Sequence, residues 1–169
     1  MTVHELGLQQ VMNVTASAFF AGASWPERIW EAGRAFAQFL ESNPLITHVG
    51  FVEAHAVGPG ASQRVQDSHI AFAIFLQESY LQVSKHPPPT RAAVEAIITT
   101  LFEIVYHQAR ASAKPKISGL LGHMSFLCLA PFLGAGEANR FIDKTAGGAR
   151  KAPPRRSLTT AKPGSRRKR

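Results

Sequence analysis

Cysteine is nearly absent: the 169 residues hold one, Cys128, so no intrachain disulfide can form. Set in an apolar stretch, that thiol reads as a small buried hydrophobe, which suits a reducing compartment. Hairpin chemistry is missing too. No Asn-Gly or Asp-Gly pair occurs and few runs alternate apolar with polar, so sheet architectures are not expected. The N-terminus lacks the positive segment, apolar run and small-residue cleavage site of a secretion signal, and a cytoplasmic location is expected. There is no G-x-S-x-G elbow, no P-loop, no G-x-G-x-x-G and no H-E-x-x-H, so neither an enzyme nor a cofactor is implied.

What is present is a composition 45% hydrophobic and 18% charged, which excludes fibrous and wholly disordered classes. The length suffices to bury a core without a metal or disulfide staple. The net charge of +8 is unevenly placed. Through Lys144 ten basic residues meet eleven acidic ones, whereas beyond it nine basic residues meet none. Two parts are expected: a nearly neutral helical domain over 1–144 and a disordered basic tail over 145–169. Arg150, Lys151, Arg155, Arg156, Lys162, Arg166, Arg167, Lys168 and Arg169 could contact phosphates through counterion release, without aromatics to stack on bases. A solvated tail and an anionic membrane surface are the competing readings.

Residues 117–136 contain no charged side chain and invite a membrane test. Pro131 and Gly134 should stop the helix near Phe132. About 15 helical residues at roughly 1.5 Å each reach about 22 Å, short of a hydrocarbon core of about 30 Å. A buried or subunit-interface helix is expected instead, with no membrane span.

Helical spacing recurs along the chain. Leu8, Val11, Met12, Thr15 and Phe19 mark a first helix closed by Gly22. Ser24 and Glu27 form a capping box for a second, running to about Ser42. Asn43 and Pro44 start a shorter helix through about Val57, ended by Gly58-Pro59-Gly60. A long helix follows from about Ala61 to Val83, and Pro87-Pro88-Pro89 breaks it. Thr90 caps the next, which Lys114-Pro115 ends. The uncharged helix from Ile117 to about Phe132 and a short turn at Glu137 to Ile142 complete an all-α bundle of about seven helices. No repeat at a fixed period points to a solenoid.

Trp25-Pro26-Glu27-Arg28 at a helix start, Phe51-Val52-Glu53-Ala54 leading into Gly58-Pro59, the Pro87-Pro88-Pro89 break, and Leu129-Ala130-Pro131-Phe132-Leu133-Gly134 stand in a telling order. Over roughly Leu8 to Ile142 it resembles the C-terminal regulatory domain of TetR-family transcriptional regulators. The resemblance implies a helical domain that binds an effector and forms a homodimer. In that family a helix-turn-helix head precedes this domain, yet the present chain is expected to begin within the first regulatory helix. DNA would then be reached only through a missing head or weakly through the tail. The resemblance also implies that the last two long helices, here Thr90 to Ala113 and Ile117 to Phe132, pack on a twofold mate as a four-helix interface. Ile97, Leu101, Ile104, Val105, Leu120, Leu121, Met124, Leu127 and Cys128 are the residues expected there. The second of those helices is apolar nearly all round, which agrees, and Gly119, Gly122 and Ser125 would allow close approach.

For the effector, a small apolar or aromatic molecule, the aromatic-rich helices offer Trp30, Phe36, Phe39, Phe51, Phe72, Phe75, Phe102 and Tyr106 as walls. Glu53, His55 and His69 fall within or beside apolar segments and are the candidate orienting groups. Residue by residue, aromatics at helical spacing are more often core than pocket wall, and the three polar groups can face solvent. The seven histidines include no i, i+4 pair, and His48 and His55 would lie about 10 Å apart along one helix, so no metal site is expected. Ser125 and His123 point in divergent directions on a helix and make a poor nucleophile–base pair. The competing function is a stand-alone helical interaction protein: a dimeric partner of full-length regulators, or a non-specific nucleic-acid binder.

Overall fold

The computed structural model describes residues 3–53 and 59–151, and among these all regular structure is helical. There are seven α-helices: α1 Val3–Ala21, α2 Trp25–Ser42, α3 Pro44–Phe51, α4 Pro59–Leu81, α5 Arg91–Ala111, α6 Leu121–Leu133 and α7 Ala135–Lys151. A 3-10 turn, Ser118–Leu120, leads into α6.

Local chemistry sets most of the boundaries. Ser24 accepts the Glu27 N–H at 3.4 Å and Glu27 accepts the Ser24 N–H at 3.0 Å, completing the capping box at α2. Between α1 and α2 the chain turns so tightly that a Cβ on Gly22 would stand 2.6 Å from the Arg28 backbone nitrogen. Thr90 accepts the Ala93 N–H at 3.4 Å and opens α5. Gly134, with φ at +84°, ends α6, and Pro131 sits in the last turn of that helix.

Three expectations need correction. Asn43 precedes α3 but makes no side-chain cap to it; its Nδ2 donates back to the Phe39 carbonyl at 2.8 Å, so it finishes α2 instead. The start of α3 is tied by Thr47, fully buried, whose hydroxyl donates to the Leu40 carbonyl at 2.8 Å. Helix α3 ends at Phe51 rather than near Val57. It persists only where α1, α2 and α5 pack on it, as a helix of this length requires. Finally, the segment after Gly134 is a full helix reaching Lys151, not a turn over Glu137 to Ile142, so the expected boundary at 144/145 falls inside α7. Ala138 is buried, and Phe141, Ile142 and Thr145 continue its stripe at helical spacing. Small residues take over beyond Ile142, where large apolar side chains no longer advertise the periodicity. Arg155, Arg156, Lys162, Arg166, Arg167, Lys168 and Arg169 lie outside the described residues.

Helix α2 is the hub, packed on α1, α3 and α6, while α4 lies along α5 and α6 along α7. One core cluster joins Phe19, Trp25, Ile29, Leu76, Tyr80, Ile98, Leu129 and Phe132. A second joins Val11, Ala37, Leu40, Val105, Ile117 and Met124. The polar atoms that enter the first cluster are paired, since Trp25 Nε1 donates to Ser79 Oγ at 3.0 Å and the Tyr80 hydroxyl donates to the Phe132 carbonyl at 3.2 Å. Glu41 reaches from α2 to accept both the N–H and the hydroxyl of Ser118, at 2.7 and 2.8 Å, and so anchors the turn before α6.

The helix pairing alters the expected interface. Helix α5 packs chiefly on α4 and α6 chiefly on α7, so α5 and α6 do not form one side-by-side pair. Val105, Leu121 and Met124, expected at an interface between copies, are buried within the chain itself. Ile97, Ile104, Leu120 and Leu127 are half-buried.

Candidate functional site

Between the two core clusters the helices line an apolar pocket of about 120 Å³ that is partly open to solvent, with Phe75 exposed at its edge. Each wall is one helical stripe, with residues three or four apart on one face. Helix α1 gives Thr15 and Phe19, and α2 gives Ile29, Ala32, Gly33 and Phe36. Helix α4 gives Phe72, Phe75 and Leu76, and α5 gives Ile98, Leu101 and Phe102. Met124, Ser125 and Cys128 of α6 close the remaining side.

Rings make up much of the wall. Phe19 meets Phe75 edge-on with centroids 4.7 Å apart, and Phe72 meets Phe102 at 5.9 Å. Behind this layer Phe51 stands 5.5 Å from Phe102 and 6.3 Å from Phe36, bracing two lining rings from outside. His69 is buried 4.2 Å from the Phe102 ring, with Nδ1 and the Thr99 hydroxyl at 3.4 Å. It supports the wall and does not line it.

Of the aromatic residues that sequence nominated, Phe36, Phe72, Phe75 and Phe102 therefore meet at the cavity. The others do not. Trp30 faces Phe141 of α7 at 6.4 Å, and Phe39 packs on the second core cluster. Tyr106 accepts from Arg110 at 3.2 Å. Glu53 is exposed, and His55 lies outside the described residues. Conversely, Leu101, Met124 and Cys128, expected at a dimer interface, belong to the cavity wall. Periodicity had marked each of these stripes as apolar; it carries no information on whether a stripe meets core, void or another copy. Thr15 and Ser125 were the polar breaks in two such stripes, and that is the signal that could have singled them out.

The electrostatics of the site are simple: no Lys, Arg, His, Asp or Glu lines it. The Arg28 guanidinium lies over the Phe19 ring at 5.9 Å and gives its Nε–H to the Gly22 carbonyl, outside the lining. Burial pushes the Cys128 thiol up to about 12, so it stays protonated and is a poor nucleophile or metal ligand. His123 is exposed while Ser125 is buried, and the two occupy different faces of α6. Among the described residues no three His, Cys, Asp or Glu side chains gather as a metal site, and no helix is long and apolar enough to cross a membrane.

Size then limits what the site can hold. Cavities for drug-sized ligands occupy about 300–1,000 Å³, whereas a dry apolar void of about 150 Å³ accepts one benzene. A single ring or a short aliphatic chain matches the volume here. Compared with known proteins, the chain matches no family model, and neither a curated protein nor a solved structure shows significant similarity to it.

Proposed function

We propose that this chain is an effector-sensing helical domain of the kind found in TetR-family regulators, taking a small apolar or aromatic molecule between its helices and acting by conformational coupling rather than catalysis. The observation that carries this reading is the uncharged cavity into which five helices each turn a stripe. Among those helices α4 packs chiefly on α5 alone, while α2 is held from several sides. A ligand touching all five therefore has its largest leverage on α4, and differential affinity for two positions of α4 would convert occupancy into a change of packing. A homodimer, with the twofold mate as receiver of that change, belongs to the same proposal.

The test is thermal unfolding of the full chain with benzene, toluene or short alkanes. At a free concentration about 100 times Kd, binding adds about 2.7 kcal/mol, a rise of roughly 5–10 °C for a domain of this size. Ala32→Leu, which places a larger side chain in the wall, should keep the melting temperature and lose the ligand-induced rise. No rise with any of these compounds, or a rise that persists in Ala32→Leu, would refute the reading.

A further inference from the structure

A second cleft, of about 650 Å³, lies one helical turn from the apolar pocket along three of the same helices. Ile29 of α2, Leu76 of α4 and Cys128 of α6 line the pocket, while Trp25, Tyr80 and Phe132, each four positions away on its helix, line the cleft. These three rings are buried with centroids 4.9 to 5.1 Å apart and form the floor. Trp25 Nε1 is spent on Ser79 and the Tyr80 hydroxyl on the Phe132 carbonyl, so the floor offers a ligand apolar contact. Val83, 53% exposed, adds an aliphatic edge.

Unlike the pocket, this cleft carries charge of both signs. Arg28 comes from the start of α2, Glu137 from the first turn of α7, and the exposed His86 completes the rim. Arg28 gives its Nε–H to the Gly22 carbonyl, which holds the side chain and leaves its two terminal NH2 groups unspent. Among the described residues neither Arg28 nor Glu137 belongs to an ion pair. A purely anionic ligand would satisfy Arg28 and meet repulsion from Glu137, and a purely cationic one would do the reverse. We infer that this cleft is a second binding site, for a small zwitterion with an apolar side chain, of the amino-acid or dipeptide class. The carboxylate accepts from the Arg28 NH2 groups, the ammonium donates to Glu137, and the side chain lies against Val83 and the ring floor. The volume falls within the range of about 300–1,000 Å³ of small-molecule sites.

Phenylalanine, 3-phenylpropanoate and 2-phenylethylamine share a ring and differ in the charges they carry, which makes them the probes. Each is titrated into the full chain while the indole N–H resonances are followed. Phenylalanine should shift Trp25 saturably and leave Trp30, which is not in the lining, in place. Each single-charge analogue should bind about fivefold more weakly, the scale of a solvent-exposed ion pair. Glu137→Gln should erase the advantage of phenylalanine over 3-phenylpropanoate, and Arg28→Gln its advantage over 2-phenylethylamine. Glu137 is exposed, so its variant carries the test if Arg28→Gln unfolds the α1–α2 junction. Ala32→Leu, in the wall of the apolar pocket, should leave phenylalanine binding unchanged whether or not that pocket takes a ligand. The absence of a saturable Trp25 shift, 3-phenylpropanoate binding as tightly as phenylalanine, an advantage that survives in Glu137→Gln, or loss of binding in Ala32→Leu would each overturn this inference.

Discussion

A cysteine in an otherwise oily wall behaves as a hydrophobe whose one ionisation is suppressed. The Cys128 thiol is raised from 9.0 to about 12 by burial alone. The folded state thus holds its proton more tightly than the unfolded chain does. Any stability linked to it is whole below about pH 9 and is lost progressively as pH rises toward 12. Two measurements follow. At pH 8 the native thiol should react with a maleimide or disulfide reagent far more slowly than in urea, and Cys128→Ala should unfold less steeply than wild type between pH 9 and 12. Rapid native labelling would mean that the side chain reaches solvent. At this scale the sequence is only partly readable: the apolar setting of Cys128 follows from its neighbours, although the residue is half-buried rather than fully buried, and the unpaired hydroxyl of Thr15 depends on its rotamer and on tertiary packing, which no local pattern announces.

Elements were far more legible, because their ends are written in nearby residues. The Ser24–Glu27 box, the Thr90 cap and the glycine after α6 act within a few positions, and each fell where spacing placed it. Asn43 shows the limit of such reasoning, since one side chain lay within reach of two helix ends and satisfied the first. The length of α7 shows another, because the helix continues to Lys151 after its last large apolar side chain, Ile142. The α1–α2 junction offers a direct comparison of cap and crowding. Ser24→Ala removes one cap bond and should cost about 1 kcal/mol. Gly22→Ala would push a methyl group to 2.6 Å from Arg28 nitrogen and 2.8 Å from its Cα, atoms of the backbone that cannot rotate away. Its cost should exceed that of the cap substitution, in the range of about 1–3 kcal/mol expected for overpacking. Urea midpoints of the two variants decide the order, and a Gly22→Ala chain as stable as wild type would show that the junction can open freely.

For the whole molecule the question is which apolar surface remains after the core and the cavity have taken theirs. Val105 is fully buried inside the second cluster, one position along α5 from Ile104, which keeps part of its surface. Ile97 precedes Ile104 by seven residues and so shares its side of the helix. Periodicity placed all of these residues in one interface, because an apolar residue that faces its own core and one that faces a twin obey the same spacing. Tertiary packing separates them. The homodimer proposed above consequently makes opposed predictions for neighbouring positions on α5. In sedimentation equilibrium the wild-type chain should weigh twice its 18.3 kDa. Ile97→Lys with Ile104→Lys should halve that mass while the far-ultraviolet helical signal persists, since a charge on a face buried between copies would be left without a partner. Val105→Ala should leave the mass unchanged and lower the urea midpoint, since it hollows the protomer's own core. A wild-type mass of one chain would remove the twin from the proposed mechanism, and the coupling through α4 would then need another receiver.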